Sequence, residues 1–261
     1  AEAGCLYAGI VNDLHRAAGR SGVGTVMASK NLKAIAVIGT QGVGNIKDPA
    51  RFMQTTAEQK KVLVDHPVTG TGLPTLGTQV LMNVINETGA LPTRNMREVQ
   101  FEGANNISGE QMLEPRERDG KPNLTTNAAC FACTIACGRI STIDQGHFTV
   151  ENKPQYWGNS GGLEYEAAWA LGADTGVDDL DALTYANFVC NEDGFDPISF
   201  GATLAAAMEL YDIGAVTKED TGGMELKFGS AEALAWSAEK VATGEGFGAD
   251  LGLGSKRLCE K

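Results

Sequence analysis

No stretch of this chain is apolar for long enough to cross a bilayer. The longest runs, such as 34–38, fall far short of the roughly 20 residues a spanning helix needs. The opening residues, Ala1-Glu2-Ala3-Gly4-Cys5, have no basic segment of the kind that starts a secretory leader. They also lack an initiator methionine, and the last residues, 252–261, stop inside a helix-like pattern. Both ends are therefore expected to be cut from a longer protein. Basic residues are scarce: 21 Lys and Arg stand against 33 Asp and Glu, a net charge of −12. That sign disfavours nucleic acid as a partner, because no basic patch is available to displace its counterions. Six cysteines in 261 residues are too few for a disulfide scaffold, and three of them are clustered. Clustered, unpaired thiols point to a reducing, cytoplasmic compartment. Internal repeats and low-complexity tracts are absent too. What is present is ordinary for a folded protein: 43% apolar and 21% charged residues, enough for one large domain or two smaller ones.

The first forty residues read as one unit. Residues 7–11 suggest a short strand, and 15–24, "HRAAGRSGVG", a polar glycine-rich loop. Residues 23–30 suggest a short helix, and 32–39 an apolar strand ended by Gly39. A Gly/Arg loop between such elements can hold phosphates, since backbone N–H groups and a forked guanidinium both suit an anion. The plain alternative is a surface turn, and neither G-x-G-x-x-G nor a Walker loop is present. Helices are expected over 49–65, 80–88, 164–171, 180–192, 197–211, 230–243 and 250–261. Between them, 66–78 reads as a Gly/Thr/Pro loop, 91–95 as a polar loop "LPTRN", and 100–127 as charged and irregular.

The densest chemistry is "CFACTIAC", with Cys130, Cys133 and Cys137. On a helix the spacing i, i+3, i+7 lies on one face, and Thr125, Thr126 and Asn127 could cap that turn. Thiolates favour zinc, copper(I) or iron–sulfur clusters. A structural zinc site pairs C-x2-C with a second close pair, which is missing here. Radical-SAM enzymes use the reverse order, C-x3-C-x2-C. A [4Fe–4S] cluster with a distant fourth cysteine remains, as does the bland option of three small buried residues. Cys5, Cys190 and Cys259 are the candidates within the chain for a fourth ligand. Cys190 lies on an apolar helical stripe, which a core cysteine explains as well.

Several stretches together resemble the tungsten-containing aldehyde:ferredoxin oxidoreductases: "RAAGRSGVGTVMASKNLKAIAV", "LPTRN", "CFACTIAC", "EYEA" and "CNEDGFDPISFGAT". They occur in the family's order, and the resemblance covers nearly the whole chain. It implies a mostly α fold: a helical domain of the aldehyde ferredoxin oxidoreductase type, preceded by the α/β end of the N-terminal pterin-binding domain. The expected division is 1–45 for the end of that β-rich first domain and 46–261 for the helical middle domain that carries the cysteines.

The resemblance also implies cofactors and roles. The cofactors are a tungsten bis-pterin (with molybdenum as the alternative metal), a [4Fe–4S] cluster, and Mg2+ bridging the pterin phosphates. Cys130, Cys133 and Cys137 match three cluster ligands, the fourth being expected beyond Lys261. Arg16, Ala17, Gly19 and Arg20 match the pterin-phosphate loop. Asn191, Phe195 and Asp196 match a pterin-edge motif, with Asn191 standing where the family has an acidic residue. Gly194 and Asp196-Pro197 equally read as a helix end and the next helix start. Glu166 matches a glutamate near the tungsten, a proton relay whose burial would raise its pKa; Glu164 is its neighbour and alternative. Tyr185 occupies the position of an interface metal ligand in some members, so that metal bridge is not expected. The implied activity is oxidation of aldehydes to carboxylic acids in an anaerobic setting, with electrons passed to ferredoxin or an iron–sulfur subunit of a homo- or hetero-oligomer. Two other readings stay open: the tungsten subunit of a benzoyl-CoA reductase, and an iron–sulfur subunit without tungsten. The chain by itself is expected to be inactive.

Overall fold

The computed structural model describes residues 1–12 and 16–261; His15 of the Gly/Arg loop lies outside the described residues. The chain is mostly α-helical. Its N-terminal hairpin pairs β1 (Ile10–Asn12) with β2 (Arg16–Ala18) antiparallel, Val11 opposite Ala17. Arg16 and Ala17, expected in a loop, are therefore strand residues. Helix α1 (Val23–Ser29) follows. Helix α2 (Pro49–Asp65) starts where Asp48 accepts the Arg51 N–H at 3.0 Å and Pro49 fills the first turn. No residue of α2 is buried.

The segment 66–78, expected to be a loop, is instead largely helical: residues 68–80 form consecutive helical turns around α3 (Leu73–Leu76). Pro74 sits in the first turn of α3, where a missing N–H costs nothing. Helix α4 (Leu81–Glu87) comes next. The charged segment that follows is irregular as expected, yet it inserts Phe101, Ile107 and Met112 into the core. It ends in β3 (Leu124–Ala128), so Thr125–Asn127 extend a strand and cap no helix. Strand β3 pairs with β4 (Gly138–Ser141), and β4 with β5 (Ser160–Gly161), all antiparallel.

The helical body is α5 (Tyr165–Leu171), α6 (Leu180–Asp193), α7 (Pro197–Asp212) and α8 (Ala231–Thr243). Each of the last three is capped by a side chain chosen for it: Asp179, Asp196 and Ser230 accept backbone N–H groups of the first turn. Helix α6 ends at Gly194, whose φ of 74° is the left-handed cap that glycine adopts freely. Helices α5 and α7 approach so closely that a side chain at Gly201 would run into the Ala170 carbonyl. The expected last helix is broken in two, α9 (Phe247–Leu251) and α10 (Ser255–Glu260), with Gly254 at φ 85° between them.

One expected strand does not form. Residues 32–39 have no regular structure, and Ile35, Val37 and Ile38 are 72%, 86% and 91% exposed. Apolar β-branched side chains favour a strand only when a partner satisfies the backbone, and among the described residues none pairs with this segment.

The hairpin is docked on the helical body by long-range backbone bonds. Gly9 N–H donates to Gly194 O at 2.9 Å, Asp196 N–H to Tyr7 O at 3.1 Å, and Leu6 N–H to Gly252 O at 2.8 Å. The α6–α7 turn is thereby held against the Gly/Arg loop.

Candidate cofactor site

A cavity of about 380 Å3 opens where these pieces meet. Its wall includes all four residues of the Gly/Arg set, Arg16, Ala17, Gly19 and Arg20. Asn191, Phe195 and Asp196 enter from the α6–α7 turn, Glu166 from the start of α5, and Cys130 from the cysteine loop. Cys133 and Cys137 lie on the same loop, outside the wall.

Arg16 and Arg20 are positioned by separate carboxylates. Arg16 Nη1 donates to Glu164 Oε1 at 3.1 Å, and Thr78 Oγ1 donates to the other oxygen, Oε2, at 2.7 Å. Burial works against the charge of Arg16, but Glu164 together with the Cys130 and Cys137 thiols outweighs it, and the pKa ends above its ordinary value. A Cβ at Gly138 would stand 2.5 Å from Arg16 Nη2, so this glycine is the space the guanidinium uses. Arg20 Nε lies 3.3 Å from Asp196 Oδ2. Asp196, 3% exposed, also accepts the Ser199 N–H at 2.9 Å and the Ser199 hydroxyl at 2.5 Å. Its helix-capping role is thus structural fact, and it faces the cavity as well.

The cysteines do not form a helical face. Ala132 and Ala136 have φ of 58° and 53°, which interrupts any helical path, and the segment is a loop. Cys133 N–H donates to Cys130 O at 2.9 Å, closing its first turn. The backbone N–H groups of Ala136 and Ile135 point at the Cys133 sulfur and lower its pKa, with a smaller contribution from Arg16. Cys137 is pushed up by burial first and by Glu164 second, with Arg16 opposing. Among the described residues, no three His, Cys, Asp or Glu side chains converge closely enough to hold one metal ion. A single zinc ion would need such convergence. A cubane cluster gives each cysteine a different iron, so the ligands stand further apart. The donor set therefore fits a cluster: soft thiols on one short loop, with amide N–H groups aimed at sulfur. The two guanidiniums likewise fit phosphate.

Glu166 departs from expectation. It is exposed, not buried, because the first turn of α5 turns Ala167 and Ala168 inward and Glu166 outward. Trp169 Nε1 donates to its Oε2 at 2.8 Å. Cys190 is a core residue of α6 that also touches the cavity wall, and its thiol is pushed well up by burial. Cys5 is buried and Cys259 exposed. Tyr185 is buried, donates to Glu239 at 2.6 Å and accepts from Lys153 at 2.8 Å.

Two residues escaped notice in the sequence. Thr78 orients Glu164 and also accepts the Tyr165 N–H at 2.9 Å. Arg139, on β4, is buried and lines the cavity. A lone arginine two residues after the last cysteine of the cluster, "CGR", was the available signal.

Comparison with known proteins places this geometry. Residues 1–39 match the model of the aldehyde ferredoxin oxidoreductase N-terminal domain, and 54–261 match that of domains 2 and 3 of the same family. The tungsten-containing aldehyde ferredoxin oxidoreductase of Pyrococcus furiosus is 45% identical over 255 residues, 97% of this chain and 39% of the relative. The enzyme of the same name from Pyrococcus abyssi is 44% identical over 258 residues, 98% of this chain and 39% of the relative. The chain thus spans about 39% of the length of these curated relatives. In fold it is similar to the active-site complex BamBC of benzoyl coenzyme A reductase, with a TM-score of 0.68 at 19% identity over 99% of this chain and 38% of that one. The chain belongs to the aldehyde ferredoxin oxidoreductase family, a family of oxidoreductases.

Proposed function

We propose that this chain is the cofactor-holding part of an enzyme that oxidises aldehydes to carboxylic acids and passes electrons to ferredoxin or an iron–sulfur subunit. The observation that carries the reading is the shared cavity. Segments far apart in sequence bring three arginines, a cysteine of the C-x2-C-x3-C loop, Glu166 and the Asn191–Asp196 turn to one wall. The high identity to the tungsten-containing aldehyde ferredoxin oxidoreductases supports the same reading.

In this reading Arg16, Ala17, Gly19 and Arg20 would hold the phosphates of a tungsten bis-pterin and its Mg2+, and Asn191, Phe195 and Asp196 would meet the pterin edge. Cys130, Cys133 and Cys137 would supply three of the ligands of a [4Fe–4S] cluster. When bound, these groups supply the two-electron redox change at tungsten, or molybdenum, and its division into single electrons. The chain's own residues do the rest. Arg16 is pre-oriented by Glu164 and Thr78, so little side-chain freedom is lost on meeting a phosphate. Converting an aldehyde and water into a carboxylic acid releases two protons with the two electrons. Glu166, with one oxygen steadied by Trp169, takes up one of those protons at its carboxylate.

The test is an anaerobic assay of the holoprotein with a redox dye, alongside metal analysis. Aldehyde-dependent dye reduction with tungsten and iron both present is expected. Reduction of benzoyl-CoA in place of benzaldehyde oxidation would assign the protein to ring reduction. Iron without tungsten or molybdenum would leave only an electron-transfer role.

A further inference from the structure

Arg139 is 2% exposed, deeper than an arginine normally sits. Only one of its nitrogens is accounted for: Nη1 donates to Thr75 O at 3.0 Å and to Asn127 Oδ1 at 2.7 Å. Nε and Nη2 are buried and have no partner. The chain makes specific room for this side chain. A Cβ at Gly77 would stand 2.6 Å from Arg139 Cδ, and one at Gly162 would stand 2.8 Å from Arg139 Cβ. Neither contact is compatible with a larger residue unless the arginine shifts.

A buried guanidinium with open N–H groups is costly unless an anion answers it. The candidate anions around it are Glu164, which lines the same cavity, and the cysteine loop that leads into β4. Glu164 is already engaged at both oxygens, by Arg16 and Thr78. That leaves the sulfur side. Arg139 follows Cys137 by two residues, and the Cys137 carbonyl packs against Gly77 together with the arginine's Nε.

We propose that Arg139 is the buried counter-cation of the iron–sulfur cluster, its Nε–H and Nη2–H donating to cluster sulfur and thereby raising the cluster's reduction potential. The inference rests on the reading of Cys130, Cys133 and Cys137 as cluster ligands. Its physical basis is that a fixed positive charge and N–H donors at sulfur favour the reduced cluster, which carries one more negative charge. Arg139 acts on the cluster and not on the substrate, so it is a positioning and tuning residue.

The experiment is a redox titration of the cluster, followed by electron paramagnetic resonance, in the holoprotein and in its R139K and R139Q variants. Iron content is measured in each. With R139Q the reduced-to-oxidised ratio at a fixed applied potential is expected to fall about tenfold, ~59 mV for one electron. R139K, which keeps the charge but loses the fork, falls between R139Q and the parent. A cluster whose potential is unmoved in R139Q overturns the proposal: Arg139 is then satisfied by water or neighbours and is merely structural. If R139Q assembles no cluster, R139K decides on the same terms, a lower potential supporting the proposal and an unchanged one overturning it. Absence of a cluster from the parent overturns the ligand reading and this inference together, which separates that failure from an unmoved potential.

Discussion

Arg20 Nε stands 3.3 Å from Asp196 Oδ2, so one buried carboxylate serves both the Gly/Arg loop and the first turn of α7. The ion pair itself contributes little, because Arg20 is largely exposed and its charge is screened. The cap is worth more. Asp196→Ala is expected to cost about 1–2 kcal/mol through the lost cap, and Asp196→Asn only a fraction of that, since asparagine caps as well. Urea unfolding of the two variants measures the difference. Both are expected to lose pterin, because Asp196 is one of the residues read as meeting the pterin edge; retention of full pterin by Asp196→Asn would count against a need for its carboxylate there.

Glu166→Gln keeps the hydrogen bond from Trp169 but cannot take up a proton. In the holoprotein, kcat for aldehyde is expected to drop about 100- to 10,000-fold, the usual span for a lost general acid–base group. Metal and pterin content should stay at parental levels. An unchanged kcat would move the relay elsewhere, with Glu164 the neighbour to examine.

Five of the six cysteines are told apart by substitution. Alanine at Cys130, Cys133 or Cys137 is expected to abolish the cluster's iron and its visible absorption. Alanine at Cys190 removes a packed core sulfur and is expected to cost roughly 1–2 kcal/mol of stability with iron retained. Alanine at exposed Cys259 should change neither. Loss of iron in the Cys190 or Cys259 variant would identify the fourth ligand within this chain.

A pH effect is built in at Asp174. The side chain is fully buried, and one oxygen accepts the Met96 N–H at 3.1 Å while Oδ2 has no partner. Burial pushes its pKa up to about 6, against the opposing pull of the Met96 and Asn95 amides. A carboxyl whose folded pKa lies above its unfolded value binds more protons when folded. Stability therefore falls as pH rises from the ordinary carboxylate value towards 6, by about 3 kcal/mol in all, at 1.36 kcal/mol per pKa unit. Asp174→Asn removes that slope. The stability of the variant relative to the parent is expected to move by roughly this amount in the variant's favour between pH 4 and pH 8, read from urea midpoints. A pH-independent difference would show that Asp174 ionises normally.

Much of the helical body was legible because its punctuation is local. Asp48-Pro49, Gly194 and Asp196-Pro197 act within their own turn, and the helices begin and end beside them. The misreadings have a common cause, which is information held by distant partners. Residues 32–39 have strand composition without a paired strand. The cysteine spacing suits a helix face as well as a loop, and only the left-handed Ala132 and Ala136 decide between them. The consecutive left-handed residues Arg94, Asn95 and Met96 in "LPTRN" and after it donate their backbone N–H groups to the Ala173 and Asp174 carbonyls and the Asp174 carboxylate, nearly eighty positions away. Arg139 was overlooked for the same reason: its meaning depends on glycines at 77 and 162, which no local pattern connects to it.

The docking of the hairpin bears on how the molecule is assembled in time. Tyr7 Oη donates to Leu251 O across a sequence separation of 244, so the two ends of the chain must meet before the cavity has walls. Contacts of such span carry the full entropy of loop closure and lie among the last to form. The helices can fold without them; the cavity cannot. Amide hydrogens of residues 6, 9 and 196, which report on this seam, should therefore exchange together in one opening event of lower free energy than that of α6 and α7. A cofactor bound across the seam would close that opening, and its insertion would be the step that commits the two ends of the chain to each other.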